Sequence, residues 1–239
     1  MKKESNTYSI IYILVLALVV GTALAFTAGA LSGRQQANAD RDKERQILAS
    51  IHITAPSDSV SEVYDSHIVN SLILNNLGDT IEGNAFNIDV AEESRKPDSL
   101  RMLPVFVGKT DSGELKYIIP AYGAGLWGPI WGYVAFNADG KTIYGAYFAH
   151  QGETPGLGAE IEKPAFSARF IGKQVFKDGK FMPISVVKSG TRPSSGEDYV
   201  DGVSGGTITS NGVTKMLANC LSPYEAFLQS LSDKPINKD

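Results

Sequence analysis

No charged residue occurs between Ser5 and Gly33, and Ile10–Leu31 is almost wholly apolar. At about 1.5 Å per residue, a helix of that length spans about 33 Å, enough to cross the hydrocarbon core of a bilayer. No other feature constrains the fold so strongly, because backbone in lipid must satisfy its own hydrogen bonds and a single segment does so only as a helix. A cleavable signal peptide is the competing reading, since Ala23-Leu24-Ala25 and Ala28-Gly29-Ala30 resemble cleavage sites. The apolar run is, however, longer than the usual signal core of about 7–15 residues. No cysteine follows it, which excludes a lipoprotein. The segment therefore reads as a retained single-pass anchor in membrane lipid: residues 1–9 a short tail, 10–32 the transmembrane helix, 33–239 a domain outside the membrane. Lys2 and Lys3 lie before the helix and Arg34, Arg41, Lys43 and Arg45 after it. The positive-inside count is thus roughly balanced and does not orient the anchor.

Of the 239 residues 43% are apolar, enough for one core of substantial size. A net charge of −4 argues against a nucleic-acid partner, because no basic excess is present to neutralise phosphates. Cys220 is the only cysteine, so there is no intrachain disulfide and no cysteine-built metal or iron–sulfur site; its apolar helical context predicts a buried structural thiol. His52, His67 and His150 show no paired metal-ligand spacing. Redox chemistry here requires a bound cofactor.

After the anchor, Gly33–Ala39 is small and polar and reads as a linker, followed by a helix over Asp40–Ile51 with Asp40 as its cap. Ser57–Ser99 is irregular, with apolar runs such as Ile68–Leu74, and carries no functional motif. From Leu103 the pattern turns β-rich. Leu103–Val107 and Lys116–Ile119 flank the turn Thr110–Gly113, and Ile130–Phe136 and Thr142–Ala149 flank Asn137–Gly140; Lys177–Lys180 is a third tight turn. Ala165–Phe176 contains a short helical pattern, Ile184–Lys188 and Tyr199–Val203 read as strands, and Ser210–Cys220 and Pro223–Leu231 as closing helices. Hairpins outnumber β-α-β crossovers. The expected class is α+β, with a largely antiparallel sheet and packed helices.

Gly123-Ala124-Gly125-Leu126-Trp127-Gly128 matches the dinucleotide fingerprint in letters only. That fingerprint needs a helix to begin within it and an acid about 20 positions on. Here Pro129 and a β-like run follow, and position 148 is Phe148. The segment reads as a turn presenting Leu126 and Trp127, suited either to the core or to packing on a planar ring. His150–Gly158 follows a strand; Pro155-Gly156 marks a turn, Glu153 and Thr154 bring hydrogen-bonding groups, and Leu157 an apolar contact. The third motif is Asp201–Ser210. Gly205 and Gly206 and the hydroxyls of Ser204, Thr207, Thr209 and Ser210 precede a helical pattern of Val213, Met216, Leu217 and Cys220. Glycines that admit close backbone approach, set before a helix N-terminus, suit a phosphate. A plain glycine turn with a Ser or Thr helix cap fits the same residues.

The motifs together carry a resemblance. Ser204-Gly205-Gly206-Thr207 resembles the Ser-Gly-Ala-Thr motif of membrane redox subunits that carry covalent FMN, and Glu153-Thr154-Pro155-Gly156-Leu157-Gly158 resembles a second string of the same family. The chain is similar over most of its length to the C subunits of sodium-translocating NADH:quinone reductases, with the G subunit of the Rnf complex as a close relative. The likeness takes in the anchor, Asp42–Leu48, Gly125–Trp127, Glu153–Gly158 and Val200–Gly212; Gly125-Leu126-Trp127 and the Thr207–Gly212 continuation look more like the quinone reductase family than the Rnf one. Gly206 replaces a common alanine and removes only a methyl group.

The resemblance implies FMN esterified through its phosphate to Thr207. Ser204, Gly205, Gly206, Thr209, Ser210, Glu153, Thr154, Gly156, Leu157, Leu126 and Trp127 would line the cofactor, and Asp201 would belong to the recognition string of a magnesium-dependent flavin transferase using FAD. It further implies partnership with the other subunits of a complex that oxidises NADH, reduces quinone and exports sodium. In it, electrons reach this flavin through a membrane iron centre and leave to a second flavin. The domain would face the periplasm from the bacterial inner membrane, with no complete active site in this chain alone. An Rnf-type G subunit and a non-redox anchored binding module are the alternatives.

Overall fold

The computed structural model describes residues 6–232 and divides into two units, with the boundary between Lys43 and Glu44. Lys2, Lys3 and residues 1–5 of the expected tail lie outside the described residues; residues 6–9 are already helical. Helix α1, Asn6–Ser50, makes up the first unit and the opening residues of the second. The large apolar side chains from Tyr8 to Leu31 have no protein cover. Among the described residues this is the one helix long and apolar enough to cross a membrane. Three of its hydroxyls bond the helix's own carbonyls: Thr22 on Leu18 at 2.7 Å, Thr27 on Ala23 at 2.8 Å, Ser32 on Gly29 at 2.9 Å. The expected linker at Gly33–Ala39 is helical, and Asp40 is an interior residue rather than a cap. No proline interrupts this stretch, and Gln36 bonds Asp40 at 2.8 Å across one turn, so nothing local breaks the helix.

In the second unit the segment read as irregular contains α2 (Val60–His67), β1 (Ile68–Leu74), β2 (Thr80–Ile81) and the short α3 (Val90–Glu93). The hairpin strands follow: β3 (Leu103–Lys109), β4 (Leu115–Ala124), β5 (Pro129–Phe136) and β6 (Ile143–His150). After them come α4 (Pro164–Ser167), β7 (Phe176–Lys177), β8 (Lys180–Phe181), β9 (Ser185–Val187), β10 (Tyr199–Asp201), α5 (Thr207–Leu221) and α6 (Glu225–Ser232). The main sheet is antiparallel in the order β2-β1-β3-β4-β5-β6, as the α+β expectation has it. β9 and β10 form a separate parallel pair.

The central strands of the sheet are covered on both faces, which accounts for the continuous apolar runs of β3–β5. Alternate residues serve different cores. Val105, Ile119, Ile130, Val134 and Phe136 meet α5 through Val213, Met216, Leu217 and Leu221, while Phe106, Ile118, Tyr133 and Ala135 meet Ile47 and Ile51 at the end of α1. The short helical pattern expected within Ala165–Phe176 is realised in α4 and the turn after it. α4 passes into a 3-10 turn, Ala168–Phe170, and Gly172 at φ +78° turns the chain back to pair with Ile143 at 2.9 Å, leaving Phe176 in β7. Cys220 is buried; its thiol donates to the Tyr122 carbonyl at 3.3 Å, and burial raises its pKa, in keeping with a structural role.

Candidate functional site

Three segments converge at the N-terminal end of α5. The first is the loop joining β4 to β5, closed by the Gly125 N–H on the Gly128 carbonyl at 2.8 Å. No helix starts in this loop, so the fingerprint letters form a hairpin tip, with Leu126 and Trp127 exposed on it. The second is the Glu153–Gly158 loop after β6, folded on the Thr154 carbonyl, which accepts from Leu157 and Ala159, each at 3.1 Å. The third is the turn from Asp201 into α5.

Glu153 joins all three. Its buried carboxylate accepts from the Thr209 hydroxyl at 2.5 Å and from the Trp127 N–H at 2.9 Å, with the Leu126 N–H also directed to it. Its own N–H donates to His150 Nδ1 at 3.2 Å. Burial pushes this carboxyl up, but the Thr209, Trp127 and Leu126 donors and nearby His150 outweigh it and hold the group below the ordinary glutamate range. The packing leaves no room for larger residues. A Cβ at Gly158 would collide with the Glu153 carboxylate and the Thr209 hydroxyl. Gly205, at φ +73°, sits with its missing Cβ 2.5 Å from Leu157 Cδ2, bringing the second segment against the third.

Helix α5 begins at Thr207, three residues before the expected Ser210. Gly206 is its N-cap and no side chain caps it, so neither Ser nor Thr takes the capping role weighed from sequence. The helical phase then sorts the hydroxyls. Ser204, Thr207 and Ile208 are exposed, whereas Thr209 and Ser210 turn inward: Thr209 to Glu153, and Ser210 Oγ to the Val203 N–H at 3.1 Å. Thr154 and Gly156 are exposed, and Leu157 is half-exposed beside Gly205. Asp201 is exposed in an open cleft of about 800 Å³ with Arg169, Lys173 and Arg192. Its carbonyl accepts from Arg169 Nη1 at 2.6 Å. A cavity of about 170 Å³ lies between Thr207 and the residues following β9.

Sequence reading missed Ile208 and the basic residues. Ile208 carried a signal, being apolar yet off the Val213–Met216–Leu217–Cys220 stripe. Lys188 and Arg169 carried none, because the β9–β10 pairing brings Lys188 to the site and a 3-10 turn distant in sequence brings Arg169.

An antiparallel sheet faced by a helix whose exposed, uncapped start meets two glycine loops defines the class: a domain with a cofactor-type site, in a chain that also has one long apolar helix. Residues 125–222, which include every one of these loops, match the model of the FMN-binding domain. The C subunit of the Na(+)-translocating NADH-quinone reductase of Vibrio vulnificus (strain YJ016) is 36% identical over 216 residues, covering 84% of this chain and 83% of that one. The Vibrio alginolyticus C subunit is 35% identical over 242 residues, covering 94% and 93%. The solved C subunit from Parabacteroides distasonis ATCC 8503 superposes with a TM-score of 0.77 at 49% identity, covering 83% of this chain and 96% of that one. Shewanella oneidensis NqrC gives 0.66 at 28% identity, covering 82% and 99%. The chain belongs to the family of C subunits of the Na(+)-translocating NADH-quinone reductase, an oxidoreductase complex.

Proposed function

We propose that this chain carries FMN covalently on Thr207 and uses it to pass electrons between other subunits of the membrane complex. One observation carries the reading. Thr207 is exposed at the uncapped start of α5, beside a cavity, and exposed apolar side chains (Leu126, Trp127, Leu157 and Ile208) stand on the segments that meet there. These residues fit the group: unpaired helix N–H groups and hydroxyls suit its phosphate, and the apolar side chains suit its ring. Bound FMN supplies the electron-accepting and electron-donating chemistry. The chain's residues position it, exclude water and set its surroundings. Glu153 and Thr209 hold the loops from beneath, while Ser204, Gly205, Gly206 and Ser210 shape the phosphate side.

A threonine hydroxyl is a weak nucleophile without an adjacent base, and no such base adjoins Thr207 in sequence. A separate flavin transferase supplies that chemistry. The Thr207 Oγ–P bond forms as the P–O–P bond of FAD breaks, AMP leaves, and the hydroxyl proton passes to the transferase. We place the domain on the periplasmic side of the bacterial inner membrane, anchored in lipid by α1 as a single span. Intact-mass analysis of the full chain made with the transferase tests the reading: one FMN increment mapping to the Thr207 peptide supports it, and an unmodified chain overturns it.

Two consequences follow at the rim. Asp201→Ala should lower flavin attachment at limiting transferase by about tenfold, the effect of one lost charged contact at a docking surface. Its melting temperature should hold, because the exposed carboxylate is spared by the fold and only the Asp201 carbonyl binds Arg169. Full labelling under those conditions would remove Asp201 from transferase recognition. Leu157→Lys should raise the flavin midpoint potential or shift its absorption with Thr207 still modified, since it sets a cation where an apolar side chain excluded water. Unchanged spectra and potential would place Leu157 away from the ring.

A further inference from the structure

The cavity beside Thr207 has a second wall that none of the flavin motifs contains. Lys188 and Ser189 line the same cavity of about 170 Å³ as Ser204, Thr207, Ser210 and Asn211. The chain ahead of Lys188 is fixed from two sides. β9 pairs in parallel with β10, and the Gly202 N–H donates to the Val187 carbonyl at 2.7 Å. Thr214 on α5 accepts from the Val186 N–H at 2.8 Å and donates to the Val186 carbonyl at 3.3 Å. Lys188 therefore leaves β9 at a defined place relative to the helix turn that begins with Thr207.

Among the described residues Lys188 is one of several lysines outside any ion pair. Lys96, Lys116 and Lys177 each hold a carboxylate within 3 Å. Among the described residues the Lys188 ammonium has no acidic partner and no hydrogen-bond acceptor. No carboxylate lines the cavity. Its lining joins Lys188, four hydroxyl residues and Asn211 to three valines at the uncapped start of a helix. The cation, hydroxyls and amide on that partly apolar surface suit an anion, and a tetrahedral oxyanion suits its size.

We propose that Lys188 is a phosphate-binding residue, its ammonium neutralising the single negative charge of the phosphodiester that joins FMN to Thr207. This rests on the reading of Thr207 above. Lys188 both favours the phosphoryl group during attachment and holds the finished ester in the cavity.

The test uses the full-length chain in detergent, with FAD, magnesium and limiting flavin transferase, comparing wild type, Lys188→Gln and Lys188→Arg. Lys188→Gln should be labelled about tenfold more slowly and show a weaker dependence of rate on salt, since an exposed ion pair is screened. Lys188→Arg should recover most of the rate. In the fully labelled proteins the ³¹P resonance of the phosphodiester should move in Lys188→Gln, with melting temperatures unchanged. A wild-type rate with an unmoved resonance overturns the proposal. Slow labelling with an unmoved resonance also overturns it, because Lys188 would then contact the transferase rather than the phosphate. Failure of the wild type to be labelled at Thr207 is a different result and sinks the reading of Thr207 itself.

Discussion

Thr207→Ala should abolish the flavin mass increment and the ultraviolet fluorescence of the denatured band, while the domain melts within a few degrees of wild type. Thr207 is exposed and its hydroxyl caps nothing, since Gly206 is the N-cap. An exposed change to a good helix former falls within about 0.5 kcal/mol. The neighbouring hydroxyls do not substitute equally. Thr209 is buried and committed to Glu153, and Ser210 is buried under the Val203 N–H, so any residual label would fall on exposed Ser204. An unchanged increment in Thr207→Ala would refute the attachment site.

Glu153→Ala should be the most destabilising single change at the site, by about 2–4 kcal/mol. It leaves the Thr209 hydroxyl and the Trp127 and Leu126 N–H groups facing a cavity, and releases the hairpin tip from α5. For a domain of this size that lowers the melting temperature by about 4–16 °C. Calorimetry or thermal circular dichroism decides it, and a loss under about 1 kcal/mol would show that the three segments do not depend on this carboxylate. The pH dependence has a definite sign. Folding lowers the Glu153 pKa from its ordinary value of 4.5, so the charged form is favoured in the folded chain. The stabilisation is complete above that unfolded value and is lost as pH falls through the lower folded one. Glu153→Gln should flatten the slope of stability against pH in that acid range.

The same carboxylate marks where sequence reading stopped. Glu153 was legible as a residue of a flavin-type motif, and the expectation placed it around the cofactor. Its position beneath the loops follows from β6 delivering it under α5, which no local pattern records. The hairpins of β3–β6 were legible because alternation and turn residues are local. β1 was not read as a strand: Val69, Asn70 and Ser71 are exposed, and Asn70 and Ser71 interrupt the apolar run, so its place between β2 and β3 comes from pairing alone. The linker at Gly33–Ala39 failed for the opposite reason. Small polar residues without proline do not end a helix already propagating through them.

Sequence by itself determined the long apolar helix, the α+β character and the absence of any cysteine pair, and through motif resemblance it carries the proposal of Thr207 for a flavin phosphate. Composition, periodicity and contiguous motifs are all local, so they survive in the linear chain. Tertiary structure decided which hydroxyls are free, because successive helical residues point about 100° apart and the phase depends on α5 starting at Thr207. It also decided that Leu126, Trp127, Leu157 and Ile208 stand exposed on segments that meet, and that Lys188 and Thr207 line one cavity. Chain segments far apart in sequence meet only when a core forces them together, and here burying both faces of the sheet's central strands brings β9, the β4–β5 tip and the loop after β6 to the start of one helix.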